Sequence, residues 1–179
     1  MVKIEEVLHN ILHLLNKLRF PYMLVGGLAV GFFGEPRFTR DIDIAIIIDP
    51  KNIEKLIQAL KRHKYIFHEK EILMLSKLSN RFAIADPSDT YRIDLWIPKS
   101  GYEKKAFERR NKKKISQTSF FLISPEDLIL FKLLADRPQD ILDIKGILGR
   151  QKGKLDRDYM RFWAIALNKY QKLKKLEKE

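Results

Sequence analysis

The sequence predicts an α/β (α+β) protein, a mixed β-sheet flanked by helices and followed by a helical C-terminal portion. Three observations carry this. Segments with apolar residues every three or four positions interleave, up to residue 97, with short segments that alternate or run continuously apolar, the pattern of helices and strands in turn. Gly, Pro and Asp punctuate the joints between them. Beyond Pro98 a Lys- and Arg-rich stretch gives way to segments of helical period.

Residues 3–19 place Ile4, Val7, Leu8, Ile11, Leu12, Leu15 and Leu18 on one stripe of an amphipathic helix that Pro21 ends. Tyr22-Met23-Leu24-Val25 is a short apolar run stopping at Gly26-Gly27, as a buried strand entering a tight turn does. Residues 28–33 read as a short helix closed by Gly34. The run DIDIAIII at 41–48 alternates acidic and apolar residues before becoming wholly apolar, which marks a strand emerging from a core at one end. Ile53, Leu56, Ile57 and Leu60 mark a further helix, and residues 81–85 and 91–97 flank the turn-forming Asp86-Pro87-Ser88-Asp89 as a hairpin. After the basic stretch EKKAFERRNKKK at 103–114, residues 118–123 read as one more strand. Ser124-Pro125-Glu126-Asp127 supplies a cap, a first-turn proline and two early acids, so a helix starts there and runs to 135. Residues 141–148 and 159–173 form two more, before a solvated tail KLKKLEKE. Phe32, Phe33, Phe120, Phe121, Phe162 and Trp163 are expected in the core. The expected organisation is a core over residues 1–100, with the basic segment and helices of 101–179 closing a cleft.

The 179 residues fit one domain, at roughly 100–200 residues each. With no cysteine, disulfides, thiolate zinc sites and cysteine nucleophiles are excluded, and four histidines argue against an imidazole-built site, so any metal is expected on carboxylates. No stretch approaches the roughly 20 apolar residues of a membrane span, and MVKIEEVLHN opens with charges, so a cytoplasmic location without a membrane partner is expected. The 35 basic and 23 acidic residues leave +12, a balance that favours polyanionic partners such as nucleic acid or nucleotide phosphates. A Lys/Glu-rich surface of the heat-adapted kind gives the same balance.

Asp41 and Asp43, two residues apart on a strand, project from the same face. Two carboxylates held so close make sense with a divalent cation between them and nucleotide phosphates. Asp94, on the opposite face of its strand from Ile93 and Leu95, completes a three-carboxylate site if that strand lies beside the strand of Asp41. For an isolated D-x-D an acidic strand end pointing into water is the plainer reading. The pattern narrows with Gly26-Gly27, which follows a strand and opens a helix, where backbone N–H groups can approach a phosphate. Lys132 shares a helical stripe with Leu128, Phe131 and Ala135 and is expected to turn inward toward phosphates, the alternative being a packed stem with its ammonium in water. Asp140 and Asp143, one turn apart, serve either to meet substrate or as cap and surface residues. Arg37 and Arg40 flank Thr39, where they can hold phosphate oxygens or balance the acids, and Arg92 is a candidate ion-pair partner for Asp94.

With these residues in view, LVGGLAVGFFGEPRFTRDIDIAI resembles the signature of the polymerase-beta-type nucleotidyltransferase superfamily, with Gly26-Gly27 in place of its Gly-Ser and Asp41-Ile42-Asp43 as its paired acids. Within that superfamily, Arg37, Thr39 and Asp41 in R-x-T-x-D-I-D, with KLLADRPQDILDI downstream, resemble the AbiEii/MenA-type minimal nucleotidyltransferases, several of which are toxins of toxin–antitoxin systems. Lys132, Ala135 and Arg137 answer their K-x-x-A-x-x-R, with the arginine one residue early, and Asp140 and Asp143 answer their D-x-x-D. The resemblance implies a nucleotidyltransferase fold and transfer of a nucleoside monophosphate from a nucleoside triphosphate, with release of pyrophosphate, to an RNA or tRNA acceptor. It implies Mg2+ or Mn2+ on Asp41, Asp43 and Asp94, catalysis by these with Lys132, and nucleotide contacts from Gly26, Gly27, Arg37, Thr39, Arg40, Asp140 and Asp143. An antitoxin protein is an implied partner. A small-molecule acceptor, as in antibiotic-modifying enzymes, and a binding protein that has kept the fold without activity are the competing readings.

Overall fold

In the computed structural model, residues 3–74, 80–115 and 118–178 are described. Helix α1 (Ile4–Leu18) buries Val7, Ile11, Leu12, Leu14 and Leu15 and ends where Arg19 turns left-handed. Strand β1 (Tyr22–Leu24) leads into α2 (Gly26–Phe33), and β2 (Asp41–Ile46) follows. A 3-10 turn (Pro50–Asn52), whose Asp49 carboxylate accepts the Lys51 N–H, opens α3 (Ile53–Arg62), and α4 (Glu69–Met74) precedes the hairpin β3 (Arg81–Ala85) and β4 (Arg92–Trp96). Then come α5 (Gly101–Glu108), β5 (Asn111–Ile115), β6 (Thr118–Leu122) and the helices α6 (Pro125–Ala135), α7 (Pro138–Arg150), α8 (Arg157–Ala166) and α9 (Tyr170–Leu176).

The strands form one mixed sheet in the order β3-β4-β2-β1-β6-β5. β1 pairs antiparallel with β2 and parallel with β6, while β2 and β4 run parallel. Leu24, Ile42, Ile44, Ile46, Ile93 and Leu95 are wholly buried, as central strands covered on both faces should be. The C-terminal end of β1 and the N-terminal ends of β2 and β4 therefore meet at one edge of the core, where the apolar pattern of β2 gives way to aspartates.

Several sequence expectations change. Residues 101–108 of the basic stretch form a helix, closed at its start by a capping box in which Ser100 accepts the Glu103 N–H and the Glu103 carboxylate accepts the Ser100 N–H. Residues 111–115 form an edge strand despite three consecutive lysines, because an edge lets such side chains stay in water. The single helix expected over 159–173 is two, broken where Asn168 takes φ +55, a conformation asparagine tolerates. The tail is not simply solvated, since Leu173 and Leu176 of α9 are buried; Glu179 lies outside the described residues. Phe33 and Phe120 are in the core as expected, but Phe162 is 65% exposed and Phe32 borders solvent. Strands β5 and β6, from beyond residue 100, extend the same sheet as the preceding strands. Among the described residues, no helix is long and apolar enough to cross a membrane.

Candidate active site

The parallel pairing of β2 and β4 sets Asp43 directly opposite Asp94 and Asp41 opposite Arg92. The condition on which a three-carboxylate cluster depended is met. Neighbouring strands lie roughly 5 Å apart, so the carboxylates of Asp43 and Asp94 share one face at close range, with Asp41 two residues before Asp43 on that face. Burial pushes the Asp43 carboxyl above its ordinary range, and the adjacent Asp94 and Asp41 charges push it further, against the Gly27 N–H and Lys132. Arg92 bonds one oxygen of Asp94, with Nε at 2.9 Å and Nη2 at 2.8 Å.

The Gly26-Gly27 turn sits on this cluster. Gly26 has φ +66, and a Cβ built there would lie 1.9 Å from Asp43 Oδ2, so both the backbone and the space require glycine. Gly27 donates its N–H to the Asp43 carboxylate and faces Thr39 and Arg37, whose atoms would lie 3.2 and 3.3 Å from a Cβ. Val25 N–H bonds the Asp43 carbonyl at 2.9 Å, which pins the turn to β2. The Thr39 hydroxyl accepts the Asp41 N–H at 3.3 Å and steadies the strand entry.

A second constellation comes from α6 and α7. Lys132 is 5% exposed, turned inward as its stripe predicted, and its Nζ donates to Asp140 Oδ1 at 3.1 Å and Asp143 Oδ2 at 2.6 Å. Asp140 also takes the Arg137 guanidinium, at 2.8 Å, and Asp143 takes Arg37 on both oxygens, at 3.0 and 3.1 Å, with Gln139. Burial alone would raise both carboxyls. The side chains of Arg137 and Lys132 on the first, and of Arg37, Lys132 and Gln139 on the second, hold them below the ordinary range.

Both constellations open on one cleft of about 1040 Å3. Gly26, Gly27, Arg37, Thr39, Asp41, Asp43, Asp94, Lys132 and Asp140 line it; Asp143 sits behind the lining, and Arg40 lies outside it with its guanidinium 5.9 Å from the Phe38 ring. Sequence reasoning missed the apolar part of the cleft lining, where Trp96, two residues beyond Asp94 on the same face of β4, and Phe131 stand together beneath the Arg81 guanidinium. Trp96 meets the Phe131 ring edge-on at 5.7 Å. The hairpin pattern held Trp96, but nothing in it says that α6 will face it. Of the basic stretch, Arg109 is taken by Asp127 and Glu126, and Arg110 stacks on Phe107 and Phe121, while Lys112, Lys113 and Lys114 are exposed on β5, away from the cleft lining.

Among the described residues, no three His, Cys, Asp or Glu side chains already form a group that could enclose a metal ion. The donor chemistry of Asp41, Asp43 and Asp94 nonetheless fits one. They are oxygen ligands alone, as hard divalent cations prefer, and burial with two like charges beside it leaves the charge of Asp43 unmet although Arg92 holds Asp94.

The model of a family described as nucleotidyltransferase of unknown function (DUF6036) matches residues 1–164. Solved structures with the same fold include the lincomycin-bound lincosamide antibiotic adenylyltransferase LnuA, at 21% identity and TM-score 0.58 over 82% of this chain and 96% of that one. The antibiotic-resistance factor ANT(2'')-Ia matches at 15% identity and TM-score 0.60 over 94% of this chain and 93% of its own. An antigenic nucleotidyltransferase-like protein from Paracoccidioides brasiliensis matches at 18% identity and TM-score 0.58, over 96% and 90%. No curated protein matches the chain significantly. The fold is that of the nucleotidyltransferases, and the chain belongs to the nucleotidyltransferase family of unknown function DUF6036.

Proposed function

We propose that this nucleotidyltransferase moves a nucleoside monophosphate from a nucleoside triphosphate to a hydroxyl of a small acceptor held in the same cleft. The observation that carries the reading is the register Asp43 opposite Asp94, with Asp41 beside them and the Gly26 turn seated on Asp43. Asp41, Asp43 and Asp94 would hold Mg2+ or Mn2+, which supplies charge against the phosphates and the departing pyrophosphate. The remaining work falls to the chain. The N-terminus of α2 at Gly26-Gly27 orients the triphosphate, with Arg37 beside Gly27 and Lys132 of α6 to meet its charge. Asp94, steadied by Arg92, accepts the acceptor's proton as its oxygen bonds the α-phosphorus and the bond to pyrophosphate breaks.

The apolar part of the cleft lining, with Trp96 and Phe131, supports a compact acceptor lying inside. The similar folds of an enzyme named for lincosamide antibiotics and of an antibiotic-resistance factor point the same way. RNA or tRNA, as the AbiEii/MenA resemblance implies along with a toxin role and an antitoxin partner, is the second reading. Its support is the exposed run Lys112–Lys113–Lys114 on β5. Incubation with each α-labelled triphosphate, with Mg2+, Mn2+ or a chelator, and with total RNA or a panel of hydroxylated amines, tests both. Divalent-dependent label transfer with pyrophosphate release is expected, and its absence with every acceptor and triphosphate refutes the reading.

A further inference from the structure

We propose that Asp140 and Asp143 are positioning residues that fix Lys132, Arg37 and Arg137 as a rigid cationic arc for the donor's polyphosphate, rather than groups that touch nucleotide. The inference rests on the reading above and names which side chains set its donor affinity. The five charges alternate along one chain of bonds, Arg137–Asp140–Lys132–Asp143–Arg37, leaving a net +1. Exposure is graded. The side chains of Asp140 and Asp143 are 1% and 3% exposed, whereas those of Arg37 and Arg137 are 30% and 73% exposed, so the carboxylates form the back of the arc and the guanidiniums its front. All three cations line the cleft; Asp140 also borders it, with its oxygens taken by Lys132 and Arg137, and Asp143 does not.

Stability alone does not call for this arrangement, because a well-packed apolar cluster commonly does as well as a buried ion pair. Geometry does call for it. A lysine ammonium on a four-carbon stem is a mobile point charge. Here two of its three N–H donors are held by Asp140 and Asp143, which leaves one for a phosphate oxygen. Arg37 belongs to the loop before β2, and its fork on Asp143 ties that loop to α7 across 106 residues of sequence. The network thereby joins the wall that carries the carboxylate trio to the wall that carries the lysine.

The test is equilibrium binding, by calorimetry in the presence of Mg2+, of ATP and of inorganic tripolyphosphate. Asp143→Asn is expected to weaken both about tenfold, the effect of losing one well-placed charged contact. Asp143→Asn added to an Arg37→Gln/Lys132→Met background is expected to change binding less than about twofold, since it then has nothing left to position. Should Asp143 touch phosphate or metal itself, the added substitution costs as much in that background as in the wild type, and the inference is overturned. A purely structural role lowers the melting temperature of Asp143→Asn without changing affinity in the folded protein, which also overturns it. If Asp143→Asn does not fold, Gln139→Ala, which removes the amide steadying Asp143, replaces it with the same pattern expected at a few-fold amplitude. Failure of the parent reading looks different, as wild-type protein that binds neither ATP nor tripolyphosphate, and it removes this inference too.

Discussion

Replacing Gly26 by alanine separates the site from the fold. At φ +66 an L-residue costs about 1–2 kcal/mol relative to glycine. For a chain of this length that is a fall in melting temperature of about 2–8 °C. The new methyl would lie 1.9 Å from Asp43 Oδ2, whereas ordinary contact begins at 3.4 Å, so the carboxylate must retreat by at least about 1.5 Å or the turn must lift by as much. Misplacing a group at the reacting centre by about 1 Å can cost on the order of 100-fold. Relieving the overlap adds an overpacking cost of about 1–3 kcal/mol, so Gly26→Ala is expected to remain folded with a melting temperature lowered by more than the backbone cost alone, and to lose nucleotidyl transfer by 100-fold or more. Gly27→Ala meets only the side chains of Thr39 and Arg37, at 3.2 and 3.3 Å, which can shift by a few tenths of an ångström, and its loss should be smaller. The assay is label transfer from the preferred triphosphate, beside a thermal melt of each variant. Wild-type turnover in Gly26→Ala would refute the argument, because it would mean that the position of Asp43 against the turn is irrelevant to the reaction.

Gly31→Ala is expected to raise the melting temperature by about 1–4 °C, since Gly31 is on the exposed side of the otherwise largely buried α2, with no neighbour within 4 Å of an added Cβ, and gains about 0.5–1 kcal/mol of helix propensity; a lower melting temperature would contradict the open space beside it. Asp43 titrates above its unfolded value in the fold, so above the folded value its charge costs stability, and the cost fades as pH falls through that value toward the unfolded one. Asp43→Asn should accordingly raise the metal-free melting temperature at neutral pH and abolish the stabilisation by Mg2+ expected of the wild type, which paired melts with and without Mg2+ will decide. Lys112, Lys113 and Lys114 all changed to Gln should leave transfer to a small acceptor unchanged at low and moderate salt. Transfer to RNA that falls in this variant, with a salt slope flatter by roughly one per lost phosphate contact, would instead favour the RNA reading.

What the sequence made legible is what periodicity and turn chemistry encode locally. The stripe of α1, the hairpin around Asp86-Pro87-Ser88-Asp89 and the start of α6 at Ser124 are each written in a few adjacent residues. Asp86 shows why the turn was readable, since its carboxylate accepts the N–H groups of Ser88, Thr90 and Tyr91 within the same short segment. Strand order was not legible, because the parallel neighbour of β2 is reached only after two helices and a hairpin strand. Strand β5 was hidden for a different reason: three lysines contradict strand propensity unless one already knows that they lie on an edge. The apolar part of the cleft lining, where Trp96 meets Phe131, is likewise a product of packing between elements distant in sequence.

The same distinction sorts the aspartates, which look alike in sequence. Asp41–Asp43 and Asp140–Asp143 are both acidic pairs near cationic residues. Their surroundings differ in sign. Around Asp43 burial and two like charges raise the carboxyl, and the cations within reach do not offset them. Around Asp140 and Asp143 two arginines and a lysine more than offset burial and lower both carboxyls. A buried carboxylate whose charge its neighbours leave unmet, as that of Asp43 is even with Arg92 on Asp94, favours a cation beside it, whereas carboxylates already neutralised by side chains serve to hold those side chains. Direction of shift, read with the bonding pattern, thus separates Asp43, whose charge is left unmet, from Asp140 and Asp143, whose charges are met by Lys132, Arg37 and Arg137, and it supports the metal proposed for the first group and the positioning role proposed for the second, a distinction that no count of acidic residues supplies.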